Sequence, residues 1–277
     1  MRDTPPTLDP SLAAPLAADA DPAPRPGDSY VQSFARGLAV IRSFSAAAPQ
    51  QTLSEVAART GLTRAGARRI LLTLQTLGYV VSDGKQFRLT PRILDLGFAY
   101  LSSMPMWNLA EPVMEQLAEQ VQESCSAAVL DGADIVYVLR VSTHKIMSIS
   151  LGAGSRLPAY CTSMGRVLLA GLPEDEARAL LAAQPRPAHT RHTLTDIDAL
   201  MARLNKARTQ GWALVDQELE EGLISVAAPI VDRQGRVIAA LNVSGQANRT
   251  SARVMQAEFL PSLLLAARQI SALLAGR

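Results

Sequence analysis

The side chains best equipped for chemistry cluster early in the chain. Arg64 and Arg68 are four residues apart and share one face of any helix that contains them, with Arg69 at its border. Guanidinium groups presented from the front of a helix suit phosphates and the paired acceptors of guanine in a major groove. Thr63 stands where an N-cap belongs, close to a phosphate held by the helix N-terminus. Lys85 and Arg88 follow an Asp83-Gly84 turn and can reach the adjacent backbone or minor groove. This is polyanion-binding chemistry, set against the plainer alternative of a solvated helix face. Gly66, inside the same helix, costs about 1 kcal/mol relative to Ala. Close approach to DNA and a tight helix–helix contact explain it equally well.

Covalent and metal chemistry find less support. Ser163 lies in Cys161-Thr-Ser-Met-Gly165, which lacks the first glycine of a Gly-x-Ser-x-Gly elbow. Gly152-Ala-Gly-Ser-Arg-Leu157 begins like a dinucleotide loop but lacks its last small residue and a surrounding βαβ unit. There is no Walker loop and no His-Glu-x-x-His. His144, His189 and His192 are scattered, the last two in a proline-flanked loop without nearby Cys or carboxylate partners. Cys161 reads as a small buried hydrophobe, and nothing supports pairing it with His144. Asp216, Glu218, Glu220 and Glu221 read as a solvated acidic loop. Arg140 and His144 read as surface groups, either of which could offset a carboxylate ligand. The expectation is a protein without catalytic activity, cofactor or metal.

The charge is unevenly spread over the 277 residues. Residues 1–28 carry net −3, residues 29–92 net +7 and the remainder net −2. A basic head on a nearly neutral body suggests a polyanion-binding module attached to something of another kind. Residues 1–28 hold seven of the 17 prolines and no aromatic residue, the composition of an unfolded tail and not of a secretory signal. Two cysteines exclude a disulfide framework and fit a reducing cytoplasm. Uninterrupted apolar runs such as Val167–Leu172 fall short of the ~20 residues that span a bilayer, so no membrane association is expected.

The elements that must position the basic residues follow from periodicity. Phe34, Leu38, Ile41 and Phe44 mark a first amphipathic helix. Ser54–Thr60 forms a second, stopped by Gly61, and Thr63 opens a third whose stripe is Ile70, Leu71, Leu74 and Leu77. Tyr79–Ser82 and Lys85–Thr90 flank the Asp-Gly turn as a hairpin. Three helices and a two-stranded ribbon lay out a winged helix-turn-helix over residues 29–91. Ile93–Ser102 reads as a linker helix within 92–105, and residues 106–277 form a larger domain. Its predicted strands are Ser126–Leu130, Ile135–Val141, Ile146–Leu151, Trp212–Asp216, Ile224–Val231 and Val237–Ser244. Its helices are Leu109–Gln122, Thr162–Gly171, Glu174–Ala183, Asp196–Thr209 and Ser251–Leu274. The fold class is α+β, with turns at Asp131-Gly132 and Asp232–Gly235 favouring antiparallel hairpins.

Several segments carry a family resemblance. Phe34-Ala-Arg-Gly-Leu-Ala-Val-Ile-Arg-Ser-Phe44, Leu53-Ser-Glu-Val-Ala57, Gly61-Leu-Thr-Arg64 and Leu77-Gly-Tyr79 resemble the DNA-binding domain of IclR-type bacterial transcription regulators. Leu157–Ala170 and Glu221–Pro229 resemble the mixed α/β, GAF-like effector-binding domain of the same family. Glu123–Ser126, Leu157–Gly165 and Arg64–Arg69 look closest to the branch that controls protocatechuate and 4-hydroxybenzoate catabolism, the β-ketoadipate pathway.

The resemblance implies double-stranded operator DNA and a small carboxylate effector of the protocatechuate, 4-hydroxybenzoate or 3-oxoadipate class as partners, with self-association as dimer or tetramer. It implies effector contacts from Ser163 and Met164, from Leu223 and Ser225, and from Asn242 and Ser244, which strand alternation puts on one sheet face. Asp216 matches a family polar contact within one residue of alignment. The competing hypothesis is a metabolite-binding or enzymatic α+β domain whose basic head docks RNA or an acidic protein. A steep salt dependence without preference for operator DNA would favour it.

Overall fold

The computed structural model describes residues 30–103, 106–142 and 151–275. The proline-rich tail at 1–28, His144 and the strand expected at Ile146–Leu151 lie outside the described residues, except for Leu151 itself. Contacts divide the chain into two compact units that meet in sequence at Tyr100 and Leu101, inside helix α4 (Leu94–Ser103).

The first unit runs α1 (Gln32–Arg42), β1 (Gln50–Thr52), α2 (Leu53–Thr60), α3 (Arg64–Thr76), β2 (Val80–Ser82) and β3 (Gln86–Leu89). Helix α2 starts with a capping box, in which Thr52 and Glu55 exchange side-chain and backbone hydrogen bonds. It ends at Gly61, whose φ of +64° is left-handed and turns the chain toward α3. Thr63 caps α3 by accepting from the Gly66 N–H at 3.1 Å. The core is Val40, Val56, Ala57, Ala67, Leu71, Leu74 and Val80, with Ile41, Phe44, Leu53 and Ile70 packed at its edge.

The expected stripes are met in part: Ile41 and Phe44 at the end of α1 and Ile70, Leu71 and Leu74 on α3 pack in or against the core, and the outer members do not. Phe34 is 68% and Leu77 50% exposed, with Leu38 also exposed, whereas Val40 and Ala67 are fully buried. On α1 only the last turns pack into the unit, through Val40 and Ile41 and then Phe44, which leaves Phe34 and Leu38 before them exposed. The wing is a three-stranded sheet in the order β1-β3-β2, antiparallel throughout; its third strand, β1, is too short to show a periodicity. Beyond Pro91–Ile93, a single 3-10 turn, α4 exposes Leu94, Leu96, Phe98 and Tyr100.

The second unit is built on a six-stranded sheet in the order β6-β5-β4-β9-β8-β7, with every pairing antiparallel. Its strands are β4 (Ser124–Asp131), β5 (Asp134–Val141), β6 (Arg156–Pro158), β7 (Ala213–Asp216), β8 (Leu223–Val231) and β9 (Val237–Gln246). Both expected hairpins form, with left-handed glycines at Gly132 and Gly235. One face is covered by α5 (Met106–Val121) and by the C-terminal helices α9 (Ala252–Val254) and α10 (Leu260–Ala275), joined through a π-helical turn at Met255–Phe259. The other is covered by α6 (Ser163–Ala170), α7 (Glu174–Ala183) and α8 (Ile197–Gln210). Among the described residues one helix, Ala252–Leu274, is long and apolar enough by composition to cross a membrane. Its Leu263, Ala266, Ala267 and Ile270 are buried in the core against the sheet.

Candidate functional site

In the first unit α3 presents Arg64, Arg68 and Arg69 to solvent, with Thr63 exposed at its front. Buried Ala67, Leu71 and Leu74 hold the opposite side of the helix in the core. Among the described residues none of these arginines forms an ion pair, and the first turn of α3 has no acidic side chain. Lys85 and Arg88 are exposed on the wing, set by the Asp83 carboxylate accepting from the backbone N–H of Lys85 at 2.9 Å and of Gln86 at 2.7 Å. Those two backbone bonds also hold the Asp83 carboxyl below the usual range. Gly66 gains an explanation of its own: a Cβ there would meet only Thr63 Oγ1, at 3.2 Å. The glycine leaves room for the cap, and helix–helix contact does not require it.

In the second unit, strand register brings a set of polar side chains onto the face covered by α6. Ser225, Ser244 and Ser124 lie opposite one another across β8, β9 and β4. The next row is Asn242, Ser126 and Arg140 across β9, β4 and β5. Asn242 accepts from the Ser126 backbone N–H at 3.1 Å and donates to Ser244 Oγ at 3.0 Å. Arg140 Nη1 donates to Ser126 Oγ at 3.3 Å. From above, Ser163 on the first turn of α6 meets Ser225 hydroxyl to hydroxyl at 2.9 Å. Met164 is buried beside it, and Leu223 is half-buried at the end of the same strand face as Ser225.

Asp216 is not part of this cluster. It lies opposite Ile224, whose side chain faces the α5 and α10 core, and it is exposed. The residue on the α6 side of β7 is Val215, opposite Ser225. The buried acid is instead Glu218, against the expectation of a solvated acidic loop. Gln217 takes a left-handed φ of 59°, and Glu218 follows it beneath α6. There Glu218 Oε2 accepts from Arg166 Nη2 at 2.6 Å and from the Leu194 N–H at 3.1 Å. No local pattern distinguishes Glu218 from Glu220 or Glu221; the turn that buries it depends on the pairing of β7 with β8. Arg140 is likewise half-buried in the polar row and not a surface group.

The turn that leads into α6 can fold against the helix's first turn only because residue 165 is glycine: a Cβ there would stand 2.1 Å from the Ala159 carbonyl oxygen. The thiol next to the cluster is inert. Burial pushes Cys161 up to about 12, and Cys125 equally.

Comparison with known proteins decides what these two units are. Residues 33–84 match the IclR helix-turn-helix domain and residues 98–272 the IclR C-terminal domain of bacterial transcriptional regulators. The chain belongs to the IclR family. It is a transcription regulator with a DNA-binding domain and an effector domain, and not an enzyme. The Pca regulon regulatory protein of Pseudomonas putida is 43% identical, covering 94% of this chain and 91% of that protein. A solved structure from Rhodococcus sp. RHA1 is 50% identical, with a TM-score of 0.80 and coverage of 88% and 98% of the two chains. An IclR homologue of Microbacterium hydrocarbonoxydans, solved with 4-hydroxybenzoate, is 27% identical over 87% of this chain and 98% of its own, with a TM-score of 0.75.

Proposed function

We propose that this IclR-type protein regulates an aromatic-acid catabolic operon in the cytoplasm, binding operator DNA with residues 29–91 and a small aromatic or dicarboxylic acid with residues 106–277, the two joined by 92–105. The observation that carries the effector half is the polar cluster of Ser163, Ser225, Asn242 and Ser244, built from one helix terminus and two adjacent strands inside an otherwise apolar layer. Buried hydroxyls and amides at a helix N-terminus favour a ligand with acidic and hydroxyl groups. Relatives named for the Pca regulon and a neighbour holding 4-hydroxybenzoate support protocatechuate, 4-hydroxybenzoate or 3-oxoadipate as that ligand.

Arg64, Arg68 and Arg69 read base edges and phosphates from α3, Thr63 sits by a phosphate, and Lys85 and Arg88 hold the backbone from the wing. One recognition helix covers a half-site, so the protein works as a dimer or tetramer. Exposed Phe34, Leu38, Leu94 and Phe98 support self-association.

Anisotropy binding to the DNA upstream of its own gene and to scrambled DNA, with and without the three acids, tests the proposal. Preference for the upstream DNA that one acid shifts is expected; equal binding to both DNAs, unmoved by any acid, would refute it. Arg68→Ala should reduce sequence preference while Lys85→Ala weakens binding to all DNA alike. Equal loss of specific and non-specific binding in both variants would overturn that division of roles.

A further inference from the structure

The end of the recognition helix and the start of the linker helix meet at one small joint. Helix α3 closes in a Schellman motif: Gly78 takes a left-handed φ of +81°, its N–H donates to the Gln75 carbonyl at 3.0 Å, and the Tyr79 N–H donates to the Leu74 carbonyl at 2.9 Å. The turn that leads into α4 is fastened to that ending. Thr90 donates its hydroxyl to the Gly78 carbonyl at 2.6 Å and its N–H to the Tyr79 carbonyl at 2.9 Å. Two residues on, the Arg92 guanidinium lies 5.7 Å from the centre of the Tyr79 ring, and a Cβ at Gly78 would stand 3.0 Å from its Nη1. Arg92 Nε also faces Asp95 Oδ2, in the first turn of α4, at 4.0 Å. Tyr79 packs against the core of the first unit, so its ring is a platform fixed to the head. Leu94, Leu96 and Phe98 on the following turns are exposed and stand outside that core. The joint is thus where the head takes hold of α4.

We infer that Tyr79, Thr90 and Arg92 are positioning residues: they fix the angle at which the head is carried on the linker helix, and through it the half-site spacing that the protein accepts. This rests on the operator-binding reading above and adds to it what sets the spacing. Helix α3 has 13 residues, so Arg64 at its front stands about 20 Å from the joint. Seen from α4, a tilt of about 10° at the joint swings Arg64 by about 3.5 Å, close to the rise of one base pair. An arginine paired with guanine tolerates far less, because its hydrogen bonds weaken beyond about 3.2 Å. A stiffly held head therefore reads two half-sites at one separation, whereas a loosely held head follows its half-site when that moves. Ring, hydroxyl and backbone contacts are spread around the joint and resist tilt in more than one direction. A strained head escapes by breaking the weakest of them, so each contact adds its own worth to the penalty for a wrong spacing.

The test uses the full chain and duplex DNA that it selects from a random-sequence library. The two half-sites of the selected duplex are moved apart or together by one or two base pairs, and each duplex is titrated by anisotropy at fixed salt. The wild type is expected to lose about tenfold or more in affinity for the smallest shift, the scale of one mismatched base pair. In Arg92→Ala that penalty should shrink by about twofold to fivefold, the worth of one exposed cation–π contact. The double variant Thr90→Val/Arg92→Ala should shrink it further. Arg92→Lys, which keeps a cation, should retain part of the penalty, and Tyr79→Phe, which keeps the ring, should match the wild type. Circular dichroism and thermal midpoints confirm that each variant is folded. A folded Arg92→Ala protein that keeps the full penalty, even while weakening on every duplex alike, overturns the joint's role and leaves the operator reading standing. A wild type that selects a sequence but tolerates every spacing does the same. A wild type that selects no sequence overturns the operator reading and the joint's role together.

Discussion

Glu218→Ala isolates the most consequential polar contact beneath α6. The side chains of Arg166 and Glu218 are 3% and 9% exposed, and their 2.6 Å contact is supplemented by the Leu194 N–H on the carboxylate and the Tyr160 carbonyl, 3.2 Å from Arg166 Nε. Removing the carboxylate leaves a guanidinium buried against one carbonyl and an amide without its acceptor. Breaking a buried pair from one side costs about 3–5 kcal/mol. For a domain of this size each kcal/mol moves the thermal midpoint by about 2–4 °C, so a loss of about 6–20 °C is expected. Both tryptophans, Trp107 and Trp212, belong to the C-terminal unit, so intrinsic fluorescence during urea or thermal unfolding reports on that unit without the head. The double variant Arg166→Met/Glu218→Leu supplies the control. With both charges gone, the loss should shrink to about 1–3 kcal/mol, the cost of the orphaned Leu194 amide. A single variant within 1 kcal/mol of wild type, by the same measure of buried-pair cost, would refute the claim that this pair is desolvated. A double variant as damaged as the single would show that the pair positions α6 in a way apolar packing cannot replace.

Other outcomes follow from the same packing. Gly165→Ala forces a Cβ against the Ala159 carbonyl and should cost at least the ~1–3 kcal/mol of an overpacked core, shifting Ser163 with it; unfolding curves and effector titration read both effects. Native protein should resist iodoacetamide at pH 8, because burial pushes both thiols up to about 12, and should react at both only after unfolding; mass spectrometry counts the adducts. His189 stacks on Tyr160 with its Nε2 buried and, among the described residues, without a partner, and burial holds its pKa below the ordinary value. The unfolded chain then takes up the proton first, so stability should be lost as pH falls through about 6.5 toward the lower folded value. Urea titrations at pH 7.5 and 5.5 should show a larger loss in wild type than in His189→Phe, and equal losses would refute it.

The division between what is legible in the sequence and what is not follows the range of the interactions. Helices α2 and α3 are announced within a few residues by the cap at Thr63 and the left-handed stop at Gly61, and the wing turn by Asp83-Gly84; each signal acts on its own neighbours. The hairpins at Gly132 and Gly235 are legible for the same reason. The sequence alone also determined that a basic head joins a neutral body, since charge count needs no fold. Where surfaces end up is another matter. Phe34, Leu38 and Leu77 follow an apolar period yet face outward, because a period says which residues share a face and not what covers it. Tertiary structure alone decided which polar groups meet. Ser163 and Ser225 lie 62 positions apart in the chain, and Ser126 and Asn242 116. Alternation along β7 in its register with β8 puts Asp216 on the far face and Val215 beside Ser225. The turn at Gln217 then buries Glu218 while its acidic neighbours remain at least partly exposed. Strand register has a period of two and is set by partners distant in the chain, so whether a polar residue faces the cluster or the opposite core is fixed only when the sheet is assembled.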